Sequence, residues 1–243
     1  MGTPSRYSLE VPERCLHLIS ALWEEAGRTY LPGQEALGPL TTTFLLGMAT
    51  PIITLPIERV ERHRGKEDIA YLNERPLDEW VAQEVDRVLV KGRLGQAAFY
   101  DEGQWRFASI PYRGENLAMQ FPNELREALS NDAALANAAN LPASQWSSCL
   151  RNALAHGGVL YLDRNGYHEH GQRAEAFAFV SARYPKYSLE EYPDCAPLYG
   201  KRDTSKAPEQ LMVLSISERG FLSFLQRWVR WLRQSGLAQP LAA

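Results

Sequence analysis

The sequence lacks most of the residue patterns that mark the commoner chemistries. Only three of its 243 residues are cysteine, namely Cys15, Cys149 and Cys195. They are far apart, odd in number and without a CxxC pair or a companion histidine cluster. Neither a disulfide framework nor a structural zinc site is therefore expected, and a reducing cytoplasmic compartment is. No glycine-rich phosphate loop, GxSxG elbow or HExxH helix is present, which withdraws support from nucleotide hydrolysis and serine-hydrolase chemistry. The opening Met-Gly-Thr-Pro-Ser-Arg offers no apolar stretch for a signal peptide. Lysine is scarce, five residues against 21 arginines, and the formal charge is −3. A whole-protein electropositive field, as in a sequence-reading DNA binder, is excluded. A local arginine-built patch, well suited to phosphate and planar anions, is not.

Long apolar runs are nearly absent too. The longest, Pro39 to Ile57, contains Pro51, Pro56 and five threonines and is barely as long as the shortest spanning helices. It reads as a buried core helix over residues 40–63, kinked or restarted at the two prolines, and no membrane partner is expected.

What remains is ample material for a core, with 45% apolar and 10% aromatic residues. Leu16, Ile19, Leu22 and Trp23 recur at helical spacing after Pro12. Leu77 to Val90 predicts a third helix, and Pro122 opens a fourth running to about Asn131, followed by an alanine-rich stretch over 132–140. Residues 96–110 look like a short hairpin, with Ala97–Tyr100 and Gln104–Phe107 as its arms. After Gly157-Gly158 the pattern changes to strands at Val159–Leu162, Ala174–Ala182 and Leu211–Ile216. A terminal helix over 218–234 then puts Phe221, Phe224, Leu225, Trp228 and Leu232 on one face. The expected fold is mainly α within a single domain, 1–243. It comprises a helical bundle over 8–158 and a strand-rich α+β extension over 159–243.

Residues 142–158 carry the functional argument. Pro142 suits the first helical position and Gly157-Gly158 the stop. Trp146, Cys149, Leu150, Ala153 and Leu154 fall on a core face. The opposite face collects Ser144, Ser148, Arg151, Asn152, Ala155 and His156. A guanidinium and an imidazole flanking the small Ala155 suit metal-free RNA cleavage. Histidine, with an ordinary pKa near ~6.5, can take the 2′-OH proton or protonate the leaving oxygen. Arginine can stabilise the charge that builds on phosphorus. A bland alternative is a cation near a helix C-terminus, interacting with the helix dipole.

The segment Arg151-Asn152-Ala153-Leu154-Ala155-His156 resembles the Arg-Asn-x3-His signature of the HEPN superfamily, and the resemblance is confined mainly to this helix. It implies a helical bundle that dimerises with two motifs facing across a cleft, and a metal-independent ribonuclease of toxin–antitoxin or defence systems. Some members of this kind are instead non-catalytic RNA-binding or dimerisation modules. The resemblance makes Arg151 and His156 catalytic and Asn152 their polar accessory. It implies no cofactor and no metal. The partners it implies are RNA, a second copy of the chain and an antitoxin protein.

Ser148 on the same face and Arg59 and Arg62 after the apolar helix are candidates for substrate contact. Glu58 and Arg62 have the spacing of an i,i+4 ion pair, and alternatively Glu58 and its neighbours supply charge to the Arg151 notch. His168 and His170, with Asp163 and Glu169, read as a solvated loop in preference to a metal site. Trp228 and Trp231 with Arg227 and Arg230 read as packing in preference to a stacking surface for single-stranded RNA. A further enzyme reading would place the site in the C-terminal strand region.

Overall fold

A computed structural model of the chain describes residues 7–65, 79–169, 171–186, 203 and 205–235. Within these residues the fold is mixed α and β, mainly helical. The elements in chain order are α1 (Tyr7–Arg28), α2 (Thr41–Gly65), α3 (Glu79–Val85), β1 (Arg106–Pro111), α4 (Asn123–Ser130), α5 (Ala133–Asn140), α6 (Ala143–His156), β2 (Val159–Leu162), β3 (Ala176–Arg183), β4 (Gln210–Ser217) and α7 (Glu218–Gln234). A π-helical turn, Asp86–Val90, extends α3.

The strands form one antiparallel sheet in the order β1-β4-β3-β2. Its two faces follow from period-2 alternation. Phe177, Phe179, Met212, Leu214 and Ile216 join the large core shared with α1, α2, α6 and α7. Ala108, Ile110, Leu160, Leu162, Ala178, Leu211 and Val213 pack on the other side with Leu117 and with Leu125 and Leu129 of α4. A sheet covered on both faces explains why β4 is a nearly continuous apolar run.

The hairpin expected over 96–110 does not form. Ala97–Tyr100 is not a strand, because Phe99 turns into the core between the rings of Trp146, Trp228 and Trp231. Arg106–Pro111 instead pairs with β4, so the sheet bridges the boundary expected between residues 158 and 159.

Helix α2 runs through Pro51 and Pro56 without a break. Proline lacks an N–H, so Pro56 withholds the helical donor from the Ile52 carbonyl four residues earlier. The buried indole Nε1 of Trp228 on α7 donates to that carbonyl at 3.0 Å. Thr41–Val60 is long and apolar enough to cross a membrane by length and composition, yet Leu45, Ala49, Ile52 and Ile53 are wholly buried in the core.

Two consequences are measurable. Trp228→Phe keeps a ring but removes the donor, and leaving a buried carbonyl unsatisfied costs about 1–3 kcal/mol; urea unfolding will show that loss. The second concerns Glu218, at the start of α7 and half-buried, which accepts a hydrogen bond from Thr41 Oγ1 at 2.9 Å. Burial pushes its carboxyl above the usual range and Glu175 adds to this, against the opposing Thr41 hydrogen bond and the Arg173 charge. The folded chain therefore holds this proton more tightly than the unfolded chain. Its contribution to stability falls as pH rises from the ordinary carboxylate range through the raised value. Glu218→Gln is expected to remove that part of the decline in unfolding curves taken across the same range.

Candidate functional site

Helix α6 is placed at both ends by backbone contacts. At its start, Ala143 N–H donates to the Gly92 carbonyl at 3.0 Å and Leu94 N–H to that of Leu141 at 2.9 Å. At its end, Gly157 takes a left-handed conformation (φ 73°) and its N–H returns to Ala153. Gly158 N–H donates to the same carbonyl at 2.8 Å, and Val180 N–H of β3 donates to the Gly158 carbonyl at 2.7 Å. A Cβ at Gly158 would press on the Val180 carbonyl. The glycine pair thus stops the helix and lays its end against the sheet.

The faces of α6 separate as expected. Trp146, Cys149, Leu150 and Ala153 are buried, Leu154 is half-buried, and Ser147 is also buried. The Cys149 thiol lies against the Phe179 and Met212 carbonyls, and burial pushes its pKa up to about 12. A thiol so protonated is not a nucleophile.

On the other face, Arg151 and Asn152 enter one polar chain. Arg151 Nε lies 3.1 Å from Glu58 Oε1 of α2, an ion-pair contact without hydrogen-bond alignment at that nitrogen. Arg151 Nη1 donates to Asn152 Oδ1 at 2.9 Å. Asn152 Nδ2 donates to Ser181 Oγ of β3 at 3.4 Å. The side chain of Arg151 is 23% exposed and that of Glu58 39%. The guanidinium is therefore held on two edges while still meeting solvent. His156, the last residue of the helix, is exposed.

The structure brings together Arg151, Asn152, Glu58 and Ser181. Ser148 is half-buried on the same helix, one turn before Asn152. Arg59 is half-buried next to Glu58. The side chains of Arg62 and His63, and residues His170 and Cys195, lie outside the described residues. Glu58 reaches Arg151, the alternative to its i,i+4 pairing with Arg62. Ser181 carries no signal in the sequence, because its place depends on a helix packing across a strand.

His168 Nδ1 lies 2.8 Å from the Tyr161 carbonyl in the β2–β3 connection. Among the described residues no group of three His, Cys, Asp or Glu side chains is placed to hold a metal ion. Trp228 and Trp231 are buried, so they offer no stacking surface.

Gly157→Ala is expected to lower stability by about 1–2 kcal/mol, the cost of a side chain in left-handed backbone, as read by urea unfolding. Gly157→Asn should lose less, since Asn tolerates that region. Compared with protein-family models, with curated proteins and with solved structures, the chain gives no significant match.

Proposed function

We propose that this protein is a metal-independent endoribonuclease of the HEPN type, working as a cytoplasmic homodimer in a toxin–antitoxin or phage-defence setting. The observation that carries the reading is the outward face of α6. There Arg151 is held in place by Glu58 and Asn152, and an exposed imidazole, His156, closes the helix. In this reading Arg151 binds the scissile phosphate and stabilises the charge of the transition state. His156 moves the proton, to or from the 2′-OH or the leaving oxygen. Asn152 keeps the guanidinium oriented. Ser148, Arg59 and Arg62 contact the flanking RNA backbone.

The engagement of Arg151 with Glu58 favours a second reading, an RNA-binding or dimerisation module without cleavage. A carboxylate beside the guanidinium offsets the positive charge that transition-state stabilisation draws on.

Purified wild type is expected to cut single-stranded RNA in the presence of EDTA. His156→Ala and Arg151→Ala should each lower the rate by roughly 10²–10⁴-fold, the usual scale for losing an acid–base or charge-stabilising group. Wild-type rates in both variants would reject the assignment. RNA retention by wild type with no cleavage at any pH would establish the second reading.

A further inference from the structure

We propose that Glu58 is a built-in stand-in for the RNA phosphate. In the free protein it occupies the Arg151 edge that a phosphodiester takes when single-stranded RNA binds, and RNA must displace it. The inference rests on the reading of this site as an RNA site and adds to it a mechanism that sets affinity.

The argument starts from the shape of the guanidinium. Its planar fork matches carboxylate and phosphate alike, so one edge serves either anion. Glu58 Oε1 sits 3.1 Å from Nε, on one edge of Arg151. Nη1 is held by Asn152, which is itself tied to Ser181 of β3. The two attachments differ in kind. Asn152 and Ser181 stand on neighbouring packed elements, α6 and β3, and Ser181 is buried. Glu58 reaches across from α2 and is the more exposed partner, 39% against 23% for Arg151.

When an incoming phosphate competes, the Asn152–Ser181 chain keeps the guanidinium oriented. Glu58 can turn out to water, where its charge is readily solvated, and a part-exposed ion pair is weak enough to exchange. The carboxylate carries the same charge as a nucleic-acid backbone, so the occupied state repels RNA until Glu58 leaves. Glu58 thus keeps the basal affinity of the site for polyanions low in a chain whose net charge is already −3.

The test uses an RNA oligonucleotide 2′-O-methylated throughout, which cannot be cut through its 2′ oxygen. Binding is measured by fluorescence anisotropy at fixed low salt for the full chain as wild type, Glu58→Gln, Glu58→Ser, Arg151→Ala and the Glu58→Gln/Arg151→Ala double variant. Thermal unfolding checks each preparation, and the serine variant serves if the glutamine one does not fold. Removing the carboxylate is expected to tighten binding roughly 3- to 5-fold, the scale of a part-exposed ion pair, and the gain should vanish when Arg151 is also replaced.

An equal gain in the Arg151→Ala background would mean that only general repulsion was relieved, and would overturn the proposal. If Arg151→Ala weakens binding but neither Glu58 variant tightens it, the proposal fails while the RNA reading stands. If Arg151→Ala binds as wild type does, both fail together.

Discussion

A single hydrogen bond, from the indole of Trp228 to the carbonyl of Ile52, reconciles two demands that would otherwise conflict. Helix α2 must be apolar to sit in the core, yet it contains Pro56, which deprives Ile52 of its helical donor. A bare carbonyl at that depth would be destabilising. An indole brings its own apolar surface and one donor, so it fills core volume and satisfies the oxygen at once. The bond also joins α7 to α2 at Ile52, six residues before Glu58.

Around that bond the core is a set of interlocked rings. Phe99 stacks on Trp146 and meets Trp228 and Trp231 edge-on. Trp105 and Phe224 close the cluster against Trp146. The rings come from α6, from α7 and from the stretch before β1, so α6 is clamped from several sides. Aromatic pairs of this kind contribute beyond the area they bury. A helix so held presents its polar face in one orientation, which a site built from Arg151 and Asn152 requires.

At the polar face, electrostatics matters more than packing. Arg151 lies between a part-exposed carboxylate on α2 and an amide on its own helix that is tied to β3. In the proposed reading that arrangement separates orientation, set by Asn152 and Ser181, from charge balance, to which Glu58 contributes. In a weakly acidic protein, the anion site proposed above is tuned by what stands beside the arginine more than by the field of the whole molecule.

Local pattern alone was enough to read most of the elements. The helical spacing of apolar residues and the Gly157-Gly158 stop located α6 and separated its faces. Short runs of apolar residues bounded by turn residues located β2, β3 and β4, and the amphipathic spacing of α7 placed Trp228 in the core. Each depends on neighbours only a few residues away.

Three features were decided by tertiary structure. Pairing of Arg106–Pro111 with β4, in place of a hairpin, depended on a partner strand 99 to 109 residues distant and on a core that claimed Phe99. The continuity of α2 through Pro56 depended on an indole supplied by α7. The partnership of Arg151 with Glu58 and, through Asn152, with Ser181 depended on three elements meeting. The reason is the same in each case: a hydrogen bond or ion pair between distant segments is set by packing geometry, which leaves no periodic trace along the chain.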